Sequence, residues 1–299
     1  MKRLTLTTFP DRTTTSTTYD SAGEVTGVTD GLGNETEYQY DLAGRRTAII
    51  DALSHATNFA YDAVGNQASM TDANGNTTQY AYDNLNRRTQ VTYPDSTTDL
   101  TTYDALGRTI SKTDQAGKTT QFQYDKLGRL TQVTDALSQV TSYAYDEVGN
   151  RVSQTDANGH KTTFAYDQLG RRTQRTLPVG MSETYVYDLA GNLTSKTDFN
   201  AKTTTFSYDK LNRLISKTPD SSFGAPTVSF AYTPTGQRQS MVDASGKTTY
   251  SYDTRDRLTQ KTTPEGTLTY AYDAAGNLTS ILSSNAGGTS VSYGYDQLN

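Results

Sequence analysis

The chain has 299 residues, of which 33% are hydrophobic and 23 are glycine. That falls short of the roughly 45–50% apolar share of a compact globule and excludes a thick, filled core. Its net charge of −5, with acids and bases interspersed, leaves no basic stripe to follow a phosphate backbone, so nucleic acid is not an expected partner. The absence of cysteine excludes disulfides, thiolate catalysis and cysteine-bound metal, and leaves the redox compartment open.

The chain starts Met1-Lys2-Arg3-Leu4-Thr5, basic but without the apolar run of a signal peptide. No stretch approaches the roughly 18 apolar residues of a membrane helix, so any export signal is expected to lie elsewhere. From Tyr19 onward a pattern takes over. Tyr-Asp begins at Tyr19, Tyr40, Tyr61, Tyr82, Tyr103, Tyr124, Tyr145, Tyr166, Tyr187 and Tyr208, always 21 residues apart, then more loosely at Tyr232 (followed by threonine), Tyr252, Tyr272 and Tyr295.

Four residues after most of these tyrosines stands glycine, and often an arginine follows. The repeat-defining residues are thus Tyr40, Asp41, Gly44 and Arg45; Tyr61, Asp62 and Gly65; Tyr103, Asp104, Gly107 and Arg108; and Tyr124, Asp125, Gly128 and Arg129. They continue with Tyr145, Asp146 and Gly149; Tyr166, Asp167, Gly170 and Arg171; and Tyr187, Asp188 and Gly191. Asn86, Asn212, Asp256 and Asn299 replace the glycine elsewhere, and asparagine and aspartate are the residues that best tolerate a left-handed backbone. The position therefore needs positive φ, and Asp-x-x-Gly reads as a type I turn closed by a G1 bulge, the carboxylate accepting turn amides.

A second copy of that signal lies halfway round, at Asp72 to Gly75, Asp114 to Gly117, Asp156 to Gly159 and Asp243 to Gly246. Each period then holds two turns and two strands such as Leu130 to Thr134 and Thr119 to Tyr124. Another aromatic precedes the repeat tyrosine by two residues in most copies, as at Tyr38, Phe59, Tyr80, Tyr143, Phe164, Tyr185 and Phe206. A period of two puts both rings on one face of a strand, with small or polar residues on the other. Blocks of four periods also recur after 84 residues, as in Asp72-Ala73-Asn74-Gly75 and Asp156-Ala157-Asn158-Gly159, the mark of tandem duplication.

The reading is an all-β chain of about 28 strands, a single array over residues 1–299, regular through 3–213 and looser over 214–299. Twisted sheets rarely exceed about ten strands without curling, so the ribbon is expected to coil, and too few apolar residues remain to fill the inside. A hollow wall follows. Both ends cut through a repeat, which suggests a fragment whose two free sheet edges would associate edge to edge.

Tyr-Asp-x-x-Gly-Arg followed by Leu-Thr-x-x-Thr-Asp, cleanest from Tyr124 to Asp135, resembles the Rhs/YD repeat of bacterial Rhs polymorphic toxins, insecticidal toxin complexes and animal teneurins. The resemblance implies a spiralling β-sheet cocoon that in the bacterial members encloses a toxic C-terminal domain. No plug, autoproteolytic segment or toxin domain is recognisable in this chain.

Catalysis finds little footing. His55 and His160 fall in loops of different repeats, and the turns already employ the aspartates, so no nucleophile, base and orienter can be named together. No cofactor or metal is expected either. Asp72-Ala73-Asn74-Gly75-Asn76 looks like the start of a calcium loop but lacks its later acidic ligand. The expected function is a non-catalytic shell around, or presenting, a downstream effector, secreted or at the cell surface. The alternative is an exposed carbohydrate-binding or adhesion module, with glycans or a surface protein as partner, using the aromatic ladder.

Overall fold

The computed structural model describes residues 3–9, 12–288 and 290–295, so the turn read from Tyr295 to Asn299 runs outside the described residues. Within them the chain is all-β: 28 strands and one 3-10 turn, Ser221–Phe223. Five-residue strands such as Arg46–Ile50 alternate with six-residue strands such as Ala56–Tyr61. Threonine and aromatic residues fill them, the composition that suits a pleated, half-buried surface.

Two compact units result, one from Met1–Gln121 with Tyr270–Asn299, the other Phe122–Thr269. Inside each, successive strands pair antiparallel. In the first unit Tyr38 stands opposite Ile49, and Ile49 opposite Thr57. In the second, Phe164 stands opposite Arg175, and Arg175 opposite Glu183.

The Tyr-Asp turn is the one its sequence dictates. The Gly44 amide donates to the Asp41 carbonyl at 3.0 Å and the Asp41 amide to the Arg45 carbonyl at 2.9 Å. Gly44 has φ +75°, and a Cβ there would collide with Oε1 of Glu24. The left-handed φ favours glycine there, while the Glu24 side chain could swing aside.

One further device was not legible in the sequence. Tyr40 pairs with Arg46 but Gln39 with Ala48, leaving Thr47 unopposed, and the same register shift recurs at Tyr61, Tyr82, Tyr103, Tyr145, Tyr166 and Tyr187. The halfway hairpin has none: Gly27, Val28 and Thr29 face Glu37, Thr36 and Glu35 in step. This bulge explains an odd period. Without it Tyr38 would align with Ala48 and then Asn58, and the rings at Phe59 and Tyr61 would emerge on the opposite face. One extra residue in each of these repeats keeps successive ring pairs on one side of the sheet.

The looser region differs by local surgery. Asp243 pairs with Gly246 and Thr263 with Gly266, so Ala244-Ser245 and Pro264-Glu265 are two-residue loops. Asp243 to Gly246 is therefore not another copy of the Asp72 to Gly75 turn, as its sequence suggested, and the period shortens by one there. An insertion carries the Ser221–Phe223 turn, capped by Asp220.

Faces alternate as expected. In Glu35–Tyr40 the residues Thr36, Tyr38 and Tyr40 are half-buried while Glu35, Glu37 and Gln39 are exposed. Ala48 and Val91 are the only buried hydrophobic residues among those described, so the described residues form no filled core. The expectation of two free sheet edges is corrected. Leu4–Thr8 pairs with Thr14–Tyr19 on one side and with Val291–Tyr295 on the other, and Val291–Tyr295 also pairs with Leu278–Ser283. The first and last described strands satisfy each other's backbone groups, which removes the reason for edge-to-edge association.

Candidate functional site

The strands deliver each Tyr-Asp motif to a turn, where its side chains form a staple between consecutive repeats. At Asp125, Oδ1 accepts the amides of Leu127 and Arg129, each at 2.9 Å, and Oδ2 accepts Nε of Arg129 at 2.6 Å. Arg129 then reaches the next repeat: its guanidinium lies 4.8 Å from the Tyr145 ring centre and donates to the Asp146 carbonyl at 3.0 Å. Tyr145 completes the path by donating its hydroxyl to the Leu130 carbonyl at 2.8 Å. The aspartate fixes the arginine, the arginine covers the ring, and the ring secures the preceding strand.

The same staple recurs with Asp41, Arg45 and Tyr61, with Asp83, Arg87 and Tyr103, with Asp167, Arg171 and Tyr187, and with Asp209, Arg213 and Tyr232. Oδ2 of Asp104 accepts Nε of Arg108 at 2.6 Å in the same way, with Nη2 equally close. Where arginine is absent, asparagine substitutes: Asn66 donates to Asp62 at 2.9 Å and to Oδ1 of Asn86 in the next repeat at 3.0 Å, and Asn192 repeats this with Asp188 and Asn212. Tyr166 donates to the Arg151 carbonyl at 3.0 Å and Asn150 holds Asp146 at 2.8 Å. Gly65, Gly107, Gly128, Gly149, Gly170 and Gly191 all have positive φ.

These bonds set the carboxylate electrostatics. The Arg45 guanidinium, then the Arg45 and Ala43 amides, hold the Asp41 carboxyl below its ordinary value. The side-chain amide of Asn66 does the same for Asp62, and the Arg129 amide leads at Asp125. Groups tied this firmly in their charged form are poor proton shuttles.

The histidines belong to the scheme. His55 places Nδ1 3.0 Å from Asp51 Oδ2 and His160 places its own 3.1 Å from Asp156 Oδ2, the arginine position of the halfway turn. At the turn that looked like a calcium loop, the Asp72 carboxylate accepts the amides of Asn74 and Asn76 and the Asn76 side chain. Among the described residues no three His, Cys, Asp or Glu side chains gather to hold a metal.

Two features escaped the sequence reading. Exposed leucines and valines crown the turns, among them Leu42, Val64, Leu85 and Leu106 in the first unit and Leu127, Val148, Leu169 and Leu189 in the second. The second is a charged cluster on the ring face of Phe122–Thr269. Glu183, only 5% exposed, accepts the Tyr185 hydroxyl at 2.5 Å, with Arg175 at 3.2 Å and Lys196 at 3.5 Å. Burial pushes its carboxyl up, but Tyr185, Arg175 and Lys196 outweigh burial and hold it below the usual glutamate value. Nε of Arg175 stands at ion-pair distance from Glu183 without hydrogen-bond geometry and has no other partner.

A family model described as RHS Repeat matches residues 19–56, 61–98, 103–140, 124–161, 145–184, 187–222, 232–268, 255–285 and 272–299. The chain belongs to the RHS-repeat family. Each RHS match at residues 19–56, 61–98 and 103–140 starts at a Tyr-Asp tyrosine and spans nearly two 21-residue periods. A crystal structure of TcdB2-TccC3-TEV superposes on this RHS array with a TM-score of 0.57, at 20% identity over 92% of this chain and 18% of its own. A crystal structure of TcdB2-TccC3-Cdc42 gives 0.47 at 18% identity, over 94% and 19%. The Tc holotoxin pore of Photorhabdus luminescens, with a mutation in TccC3, gives 0.42 at 17%, over 95% and 22%. The chain thus spans about a fifth of the length of these structures, and the first likeness is one of fold. No curated protein sequence matches it.

Proposed function

We propose that this RHS-repeat chain is a section of curled, hollow wall that contains or presents an effector polypeptide joined to the same protein further along, and that it acts by steric containment, without catalysis. The observation that carries this reading is the staple itself. The polar groups that could do chemistry in the Tyr-Asp turns are spent on closing the turn, as in Asp125 to Arg129, and on joining one repeat to the next, as in Arg129 to Asp146 and Tyr145 to Leu130. The fold likeness to TcdB2-TccC3-TEV supports it. In this reading the further partners are more repeats and the effector, and the parent protein works secreted or at the cell surface, with no cofactor.

A glycan-binding module would need open ring faces on which sugars stack. Guanidinium groups lie over Tyr61, Tyr103, Tyr145 and Tyr187, which counts against that use of the ladder. The test of containment is protease protection of a polypeptide encoded directly after Asn299. Resistance while the array is folded, lost when the array is unfolded, is the expected result. Equal digestion in both states rejects containment.

A further inference from the structure

The residue paired with the ring two before each Tyr-Asp changes character along the chain. In the first unit it is Ile49 opposite Tyr38, Met70 opposite Phe59 and Val91 opposite Tyr80, with Lys112 opposite Thr101. Inside Phe122–Thr269 it is first Gln154 opposite Tyr143, then becomes Arg175 opposite Phe164, Lys196 opposite Tyr185, Lys217 opposite Phe206 and Lys261 opposite Tyr250, interrupted by Met241 opposite Phe230. Directly opposed residues of an antiparallel pair share a face, so these cations stand on the ring face. Arg172, over Tyr185 at 4.9 Å, and Arg238, over Phe230 at 5.1 Å, add to them.

Acids do not balance this face. Residues 122–269 contain 17 lysines and arginines against 15 aspartates and glutamates, in a chain whose totals are 27 and 32. The acids of this stretch sit in or at turns, such as Asp125, Asp146 and Asp167, except Glu183, which Arg175 and Lys196 already share. Among the described residues Lys217 and Lys261 have no ion pair; Lys261 acts at longer range on the Glu265 carboxyl. The excess positive charge of the unit is thus concentrated on one face, away from the turn carboxylates.

From this juxtaposition we propose that the ring face of residues 122–269 is a cationic track for an acidic, extended polypeptide segment. That the occupant is a polypeptide rests on the containment reading; that it is acidic rests on the charge. Arg175, Lys196 and Lys217 lie on alternate strands and two residues out of step, about 12 Å apart at roughly 4.8 Å per strand and 3.3 Å per residue, and an extended chain advancing about 3.3 Å per residue matches them with a carboxylate at every third or fourth position. Rings beneath Arg172 and Arg238 are covered, so bases or sugars find little to stack on there, whereas carboxylates meet the exposed Lys217 and Arg238 and the half-buried Arg175, Lys196 and Lys261.

The test uses the full chain refolded from denaturant with a fluorescent peptide carrying glutamate at every third position, so that entry to the face is not limiting. Its glutamine analogue, a sulfated oligosaccharide and single-stranded DNA of equal charge serve as comparisons. The glutamate peptide is expected to be retained at least about tenfold better than the glutamine analogue. Retention should fall about as much in the Lys196→Gln, Lys217→Gln, Lys261→Gln triple variant or on raising salt, and hardly in the opposite-face Lys161→Gln, Lys247→Gln variant. Equal retention of the glutamate and glutamine peptides overturns the charge assignment while leaving containment standing; retention of neither overturns both. Tighter retention of the oligosaccharide or DNA overturns the choice of a polypeptide. Circular dichroism of each variant confirms that the sheet has formed.

Discussion

Where an arginine closes the preceding turn, the repeat tyrosine does two things with one side chain, and they can be separated. The Tyr145 ring lies under Arg129 while its hydroxyl satisfies the Leu130 carbonyl. Tyr145→Phe keeps the first and removes the second, and should cost about 1 kcal/mol, the typical net worth of such a bond. Urea unfolding should show a lower midpoint with an unchanged slope. Backbone conformation gives a prediction of opposite sign. Ala201 is held at φ +58°, where a Cβ costs roughly 1–2 kcal/mol, so Ala201→Gly should stabilise the chain by up to about 1 kcal/mol after the unfolded-state entropy of glycine is allowed for. Gly149→Ala, at φ +98°, should destabilise it. Such residues also mark where sequence reading stopped. Gly44 or Asn86 announces a left-handed position, but Ser54, Ser96, Ser138 and Ala201 occupy the same conformation without a residue that favours it, and only the spacing of the turns betrays them.

At the scale of strands and hairpins, spacing revealed the two turns per period and the shared ring face, because both depend on local chemistry and on a period of two. The bulge stayed hidden because the residue it adds, Thr47 in one copy and Val152 in another, carries no signature; only the oddness of 21 residues implied that something must restore parity. The charged cluster around Glu183 was equally hidden, because its members come together only once Arg175, Glu183 and Lys196 are in register on neighbouring strands. The bulge makes a sharp prediction. Deleting Val152 should turn Phe164, Tyr166 and the rings beyond toward the wrong face, giving a broadened thermal transition and a large loss of stability. Shortening the Asp156 to His160 turn to a two-residue loop like Ala244-Ser245 should be far milder, because that change leaves cross-strand partners on their own face. Equal damage from the two deletions would show that the bulge has no special role in parity.

Over the whole molecule stability rests on many small repeated terms, since so little apolar surface is buried, and this exposes it to acid. Asp41, Asp62, Asp83, Asp104, Asp125, Asp146, Asp167, Asp188 and Asp209 have folded-state values below their ordinary ones, so their contribution is complete above about pH 4 and is lost as pH falls through the folded values. Asp220, held at about 2 chiefly by the Ser222 hydroxyl, is the last to go. Thermal midpoints should therefore change little on the neutral side and drop steeply between about pH 4 and 2. The pairing of the first and last described strands carries the remaining prediction. Leu4–Thr8 lies between Thr14–Tyr19 and Val291–Tyr295, and thereby covers the hydrogen-bonding edge of each. A chain lacking residues 1–9 would leave two edges rich in threonine and tyrosine unpaired, with Thr14–Tyr19 holding no charge to repel another strand. It should show concentration-dependent association by light scattering under conditions in which the full chain stays monomeric. If both chains remain monomeric at every concentration, the terminal strand is not what keeps these edges from other molecules.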